Sequence, residues 1–144
     1  KVFQLNDLTA RELMTPRVAA PTLAGSASLH QLRQQLVDNS SPWWVVLGKE
    51  VDNVLGVASR ENLLTALLEH KGHLSAFDLA EPVEFVPEMI RVDRLLTSFR
   101  RDNSGVRVVV DEFGGFVGVI GADSVLAVLA GWWRKSSATS GATP

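Results

Sequence analysis

The stretch GVASREN, residues 56–62, carries the residue types in this chain that are best suited to binding chemistry. A strand-like run precedes it and a helix-like run follows, so Ser59 falls where a strand ends and a helix begins. A helix N-terminus offers unpaired N–H groups and a favourable dipole to an anion. Ser59 can donate to a phosphate or ribose oxygen, Asn62 can bond ribose hydroxyls one turn later, and Gly56 permits close backbone approach. The stretch therefore predicts an anion or nucleotide site.

The same residues also have a purely structural interpretation. Ser is a preferred residue at the N-cap of a helix, where its side chain accepts from a backbone N–H of the first turn. Asn62 would then be an ordinary solvated helix residue. Composition alone leaves both interpretations of Ser59 and Asn62 open.

Other polar residues give no pattern for catalysis or for a metal site. Asp111 and Glu112 are adjacent, so they point apart on an extended chain and make a poor acid/base pair. His70 and His73 have a spacing close to that of metal ligands, but Gly72 between them indicates a helix C-terminus. The chain has no Cys for a thiolate ligand or nucleophile. We predict no catalytic residue and no metal site.

The composition indicates a globular protein that does not bind nucleic acid. Hydrophobic residues make up 46% of the 144 residues and charged residues 21%, which argues against disorder. The net charge of −2 and the pI near 5.9 provide none of the clustered positive charge that nucleic acid requires. Residues 113–133 include a single charge, but Gly114, Gly115, Gly118 and Gly121 interrupt their first half, so we do not expect a membrane-spanning helix.

An internal repeat accounts for most of the chain. WVVLGKEVDNVLGVASRENLLTALL (44–68) aligns with RVVVDEFGGFVGVIGADSVLAVL (107–129), with a shift of 63 residues before the turn and 62 after it. Upstream, LMTPRVAAP (13–21) aligns with LAEPVEFVP (79–87). Neither copy is large enough to bury its apolar faces alone, so pairing is expected to complete the core.

Each copy has the order β-α-β-β-α. In copy one the predicted strands are RVAAP, WWVVL and NVLGVA, and the helices are LHQLRQQLVDN and RENLLTALLEH, capped by Ser28 and Ser59. Leu29, Leu32, Leu36 and Val37 are expected on the buried face of the first helix. In copy two the strands are VEFV, VRVVV and FVGVIG, and the helices are RVDRLLTSFRRDN and DSVLAVLA. Gly114 and Gly115 are expected to supply the positive φ of the DEFGG hairpin turn.

These elements predict an α/β fold of two β-α-β-β-α units paired about a pseudo-two-fold axis. We place the first unit at residues 8–71 and the second at residues 76–131. The stretch RKSSATSGATP (134–144) is small and polar, and we expect residues 132–144 to form a flexible tail.

A tandem unit with the pattern G-h-x-[ST]-x-x-[DN] at its second strand-to-helix junction resembles the cystathionine-β-synthase (CBS) domain, whose pairs often bind adenine nucleotides. GVASREN fits this pattern at every defined position, and the resemblance covers residues 8–130. Three further stretches make the resemblance more specific: ELMTPR (12–17), FVPEMIRVDRLLTSFRRDN (85–103) and VVVDEFGGFVGVIGADSVLAVLAG (108–131). They are similar to the CBS pair of the CorC and hemolysin-C-like family, which includes the cyclin-M-type magnesium transporters.

The resemblance implies which residues hold the nucleotide. Relatives usually read G-[IL]-V-T-x-E-D at the second junction, where the Thr and the Asp serve the ligand, but this chain has Gly121 and Ser124 there. The site is therefore expected in the first unit, at Ser59 and Asn62. Thr15 of the M-T-P segment matches a family position near the ligand cleft, although it could equally be a turn residue beside Pro16.

The resemblance further implies a non-enzymatic regulatory module on the cytoplasmic face of a membrane. It would be joined to the membrane transport domain of its parent chain, in a family linked to magnesium and cobalt efflux. The ligand would be an adenine nucleotide, ATP or AMP, with any Mg²⁺ arriving on its phosphates. Such modules often form flat dimers, so we expect a homodimer through the CBS units. The alternative is a ligand-free dimerisation or interaction scaffold with degenerate nucleotide sites.

Overall fold

The computed structural model describes residues 7–50, 52–101 and 104–139. The first unit contains α1 (Ala10–Leu13), β1 (Thr15–Pro16), β2 (Thr22–Ala24), α2 (Leu29–Asp38), β3 (Trp43–Leu47), β4 (Val54–Ser59) and α3 (Arg60–Leu68). The second contains β5 (Phe85–Pro87), α4 (Val92–Arg101), β6 (Val106–Val110), β7 (Phe116–Gly121) and α5 (Ala122–Thr139). The α/β class and the repeated order of elements are as predicted.

Two small sheets are built on the same plan. In the first, β2 runs parallel to β3, and β3 is antiparallel to β4. In the second, β5 runs parallel to β6, and β6 is antiparallel to β7. Each sheet thus combines a hairpin with a parallel strand that a helix connects, which matches the β-α-β-β part of the unit.

The lead segment of each unit crosses to the sheet of the other unit. β1 is antiparallel to β7, with Thr15 opposite Val119, so it makes the second sheet four-stranded. Glu81 forms a single antiparallel bridge to Val57 on β4 of the first sheet. This reciprocal exchange is what the pseudo-two-fold pairing requires, and it links the two units through backbone hydrogen bonds.

Three clusters of buried residues form the core. One lies under α2 and α3 of the first unit, and one lies under α4 and α5 of the second. The third lies between the two sheets and consists of buried apolar side chains from both hairpins: Val45, Val57, Val106, Val108, Phe116 and Val119. The third cluster shows that each sheet is covered by helices on one face and by the other sheet on the opposite face.

The boundaries depart from prediction at the start of the first unit. RVAAP does not form a strand: Arg17–Ala19 is a 3-10 turn, and the strands lie on either side of it, at β1 and β2. Pro16 and Pro21 bracket this turn, and since neither has an N–H, neither can donate to a ladder. In α2, Leu29, Leu32 and Leu36 are buried as expected, but Val37 is 61% exposed, because it lies just beyond the edge of the packed stripe.

The end of the chain is also more helical than expected. Residues 132–139, which we assigned to a polar tail, continue α5, and residues 140–144 lie outside the described residues. Ala, Arg and Lys are good helix formers, so nothing in residues 132–139 stops the helix that began at Ala122. None of the helices described in residues 7–50, 52–101 and 104–139 has the length and apolar character needed to cross a bilayer.

Candidate nucleotide site and its repeat counterpart

Ser59 is the N-cap of α3 in the structure. Its Oγ accepts a hydrogen bond from the Asn62 N–H at 3.0 Å, and its backbone is extended, as an N-cap requires. The hydroxyl proton is not used by this bond, so it can donate outward. The structural interpretation of Ser59 is therefore correct, and it leaves a donor for a ligand.

The Asn62 side chain is exposed in the first turn of α3. Two amides of that turn already have acceptors, since Arg60 N–H donates to Pro42 O at 2.9 Å and Asn62 N–H donates to Ser59. Glu61 N–H is left as the open first-turn donor within the described part of the chain. The junction thus offers one amide, one hydroxyl and one carboxamide to an anionic or ribose-bearing ligand.

Gly56 lies where the lead segment of the second unit approaches β4. It has φ +155°, and a Cβ placed on it would collide with the carbonyl oxygen of Glu81, which bridges to the adjacent Val57. Glu81 N–H donates to Val57 O at 2.7 Å, and Val57 N–H donates to Glu81 O at 3.0 Å. The close approach that we predicted at Gly56 is therefore made by the lead segment of the second unit.

Thr15 does not join the other three candidates on the first sheet. It is exposed on β1, opposite Val119 of β7, two residues before Gly121. Its repeat counterpart is Glu81, which occupies the equivalent place beside β4. The structure therefore brings Ser59 and Asn62 together, keeps Gly56 on the same strand, and assigns Thr15 to the junction of the second unit.

That second junction is open but lacks the polar groups of the first. A Cβ at Gly121 would have Gly105 O at 3.7 Å and Ser124 Oγ at 4.0 Å as its nearest neighbours, so a larger residue fits there. Ala122 N–H donates to Gly105 O at 2.8 Å, which reproduces the Arg60 to Pro42 bond of the first unit. The two junctions have the same backbone frame and differ in side chains.

A groove of about 550 Å³ adjoins Ser59 on one side of α3. Trp43 and Leu64 give it apolar walls, and Arg60 and Glu61 contribute one charge of each sign. Arg60 Nη2 donates to Leu36 O at 3.0 Å, while its buried Nε has no partner among the described residues. The residues at this end of α3 fit a ligand that has an apolar body and an anionic group.

The residues that we excluded from chemistry have structural roles. Asp111 Oδ1 accepts from Phe113 N–H at 2.9 Å and from Gly115 N–H at 2.8 Å, so it builds the hairpin turn. Gly114 has φ +81° there as predicted, whereas Gly115 does not need positive φ. In the ranges that the structure describes, no three His, Cys, Asp or Glu side chains cluster as metal ligands.

Comparison with known proteins places this geometry in a family. The model of the CBS domain family matches residues 76–131. A UPF0053 protein of Synechocystis is 41% identical over 131 residues, which cover 91% of this chain and 38% of that protein. The magnesium and cobalt efflux protein CorC of Vibrio cholerae is 29% identical over 130 residues, which cover 90% of this chain and 45% of CorC.

A solved structure matches over nearly its whole length. It is the CBS domain of a bacterial CNNM/CorC family Mg²⁺ transporter in complex with ATP, with a TM-score of 0.78, 31% identity, and coverage of 85% of this chain and 87% of that chain. This chain belongs to the CNNM/CorC family of CBS-domain pairs. The CBS pair spans less than half the length of the curated relatives that it matches.

In the part of the chain that the structure describes, Arg107 is a buried charge that the sequence did not predict. Arg107, in the strand VRVVV, is completely buried, and its Nη2 donates to Ser98 O at 2.7 Å. Its Nε forms an ion pair with Glu84 Oε2 at 3.2 Å, and its guanidinium lies 4.6 Å from the centre of the Phe99 ring. The only signal in the sequence was a charged residue in an otherwise apolar strand, whose partners come from distant positions.

Proposed function

We propose that this CBS pair is a regulatory module of a membrane ion transporter of the magnesium and cobalt efflux type, and that it senses an adenine nucleotide. The observation that carries the proposal is the first junction, where Ser59 and Asn62 present a free hydroxyl and a carboxamide at the N-terminus of α3. In this proposal Asn62 holds the ribose and Ser59 the phosphate, and Mg²⁺ arrives on the nucleotide. The ATP complex of a 31% identical CBS domain supports the choice of ligand class.

The ligand would act by differential affinity for two arrangements of the module. A ligand shifts such an equilibrium only by the difference between its binding free energies to the two states. The reciprocal exchange of lead segments gives the two units a shared backbone connection, so a change at one junction reaches the other unit. We further propose a homodimer through the CBS units on the cytoplasmic face of the membrane, with the parent chain's transport domain as its partner and with no enzymatic activity.

The test is a thermal-shift series with AMP, ADP and ATP, each with and without Mg²⁺. A ligand at 100 times its dissociation constant adds about 2.7 kcal/mol, which raises the midpoint by several degrees in a domain of this size. We expect the shift in the wild type and in Ser124→Ala, the matched change at the second junction, and its loss in Asn62→Ala. A shift that survives Asn62→Ala contradicts the assignment of the site.

A ligand-free scaffold is the second candidate. Two observations favour it. Glu81 already occupies the space beside Gly56. The second junction has Gly121 and Ser124 where relatives carry the Thr and Asp that bind the nucleotide. If no nucleotide at millimolar concentration shifts the midpoint while light scattering shows a dimer, the scaffold is the better assignment. Nucleotide incubated with the protein should remain unhydrolysed under either proposal.

A further inference from the structure

A second groove, of about 580 Å³, lies between β5 and α4 in the second unit. Phe85 and Val86 of β5 and Ile90 give it an apolar side, and Arg94 and Arg101 of α4 give it a cationic side. Neither Ser59 nor Gly121 lines it, so the groove is separate from both strand-to-helix junctions. Phe85 is 47% exposed, which leaves an aromatic ring available on the groove's apolar side.

The charges in this groove do not balance. Among the described residues that line the groove, Glu84 is the one carboxylate, and its Oε2 is shared between Arg107 Nε at 3.2 Å and Arg101 Nη2 at 3.4 Å. Arg94 forms no ion pair with any carboxylate in the described part of the chain. The groove therefore attracts anions. The contacts of Arg101 and Arg107 with Glu84 show that guanidinium groups at this place can bind a carboxylate.

The first unit shows that the fold does not need these arginines. A shift of 63 residues places Gln31 at the position of Arg94 and Asp38 at the position of Arg101. Gln31 Oε1 accepts from Ser28 N–H at 2.9 Å, and Asp38 Oδ1 accepts from Gln34 Nε2 at 2.9 Å. These side chains are used within α2, so the cationic groove is a property of the second unit alone.

The backbone beside the groove has an open hydrogen-bonding edge. β5 is the last strand of its sheet. Val108 N–H donates to Glu84 O at 3.1 Å and Glu88 N–H donates to Val110 O at 2.9 Å, so alternate residues from Glu84 to Glu88 face β6. Phe85 N–H and C=O then point to the open edge, while Pro87 has no N–H. This edge can accept one bridge, as the chain itself makes between Val57 and Glu81.

The spacing of the arginines favours an elongated ligand. Arg94 and Arg101 are seven residues apart on α4, which corresponds to about 10.5 Å along the helix axis. This spacing along the helix suits a ligand that carries more than one anionic group. An extended chain covers it in about three residues at roughly 3.3 Å per residue.

We propose that the groove between β5 and α4 binds an extended acidic peptide segment of a partner protein. The segment pairs with the Phe85 backbone and lays an apolar side chain on the exposed ring of Phe85. Its carboxylates bind Arg94 and the free face of Arg101. This mode combines main-chain pairing at a sheet edge with charge-assisted hydrogen bonds.

The experiment measures fluorescence anisotropy of a labelled octapeptide of alternating Glu and Val at low salt, with a Lys and Val octapeptide as the charge-reversed probe. We expect saturable binding of the acidic peptide only. Arg94→Glu should weaken that binding about tenfold, because it removes one contact and adds a repulsion. Arg100→Glu is the matched control, since Arg100 is exposed on the same helix but does not line the groove, and it should change the affinity less than about threefold.

Two further measurements test whether the peptide pairs with β5 and whether the variants are folded. The Phe85 amide should gain protection from hydrogen exchange when the acidic peptide binds, and thermal midpoints should show that both variants fold. Equal weakening by the two variants would mean non-specific attraction and would overturn the proposal, as would the absence of saturable binding. If tripolyphosphate displaces the peptide at equal concentration and leaves the Phe85 amide unprotected, the groove is a small-anion site and not a peptide site.

Discussion

The two CBS units share a backbone plan but differ in the side chains placed on it. In both units a glycine in the middle of the last strand receives the crossing lead segment: Gly56 faces Glu81 O, and Gly118 faces Thr15 O. At the two strand-to-helix junctions, in contrast, Ser59 corresponds to Gly121 and Asn62 corresponds to Ser124. The contacts that join the units are thus kept in both copies, while the groups that could bind a ligand remain in only one.

The buried position at the start of the hairpin shows the same divergence. Trp44 fills it in the first unit and Arg107 fills it in the second, both almost completely buried. Arg107 needs Glu84, Ser98 and Phe99 around it, whereas Trp44 packs into an apolar cluster and its Nε1 has no partner among the described residues. The same backbone position can therefore hold either an apolar or a charged side chain, provided that the neighbouring side chains change as well.

The largest effect on stability is expected at the shared glycines. Gly56→Ala places a methyl group against a backbone carbonyl and forces an L-residue to φ +155°, so we expect a loss of about 3 kcal/mol or more. Gly118→Ala meets Thr15 O at 2.7 Å and the flexible end of Met14, and its φ is not positive, so about 2 kcal/mol is expected. Urea unfolding of both variants measures the difference.

Gly131→Ala is the control for this pair, because a Cβ at Gly131 in α5 meets nothing within 4 Å. It should leave the unfolding free energy unchanged or raise it by up to about 1 kcal/mol, as expected for Gly to Ala in a helix. A Gly56→Ala variant as stable as Gly131→Ala would show that Glu81 does not hold the position described here.

The next prediction compares substitutions of the two equivalent buried residues, Arg107 and Trp44. Arg107→Met removes the buried partner of an ion pair with the partly exposed Glu84 and removes the side-chain donor to Ser98 O, so we expect a loss of about 2 kcal/mol in the free energy of unfolding. Trp44→Phe removes no hydrogen bond within the described residues and reduces ring volume, so a loss of about 1 kcal/mol is expected. Denaturant midpoints compare them.

A double-mutant cycle of Arg107→Met with Glu84→Gln separates packing from charge. If the two substitutions are additive, the ion pair contributes nothing and the loss at Arg107 arises from packing alone. A coupling of about 1 kcal/mol or more would assign part of the loss to the pair.

The sequence was sufficient to predict those parts of the fold whose signals are local. Alternation and turn chemistry located the hairpins, so WWVVL and VRVVV form strands with the predicted bounds, and Ser28 and Ser59 cap their helices. The crossing of β1 to β7 could not be read from periodicity, because a two-residue strand has none. RVAAP does not form a strand because Arg17–Ala19 turns between Pro16 and Pro21, neither of which can donate to a ladder.

The sequence could not predict those contacts of the candidate residues that depend on a distant partner. Ser59 and Asn62 are adjacent on one helix turn, so their proximity followed from the sequence. The role of Gly56 depends on Glu81, and the placement of Thr15 depends on β7, and both are tertiary contacts between units. The Glu84 partner of Arg107 lies 23 positions earlier in the chain and outside any motif.

The smallest effect comes from exchanging the two N-caps. Gly121→Ser places a hydroxyl at the N-cap of α5, where the nearest neighbours of the new Cβ are 3.7 Å and 4.0 Å away, so it fits without strain. It should raise the free energy of unfolding by about 0.5 to 1 kcal/mol, through a cap bond to the Ser124 N–H and a less flexible unfolded chain. Ser59→Gly should lower it by a similar amount, because the bond from Asn62 N–H is lost. The double exchange should then lie close to the wild type in thermal unfolding. If Gly121→Ser destabilises the protein, the two junctions do not share one backbone geometry, and the comparison of the two units fails at the place where their chemistry differs most.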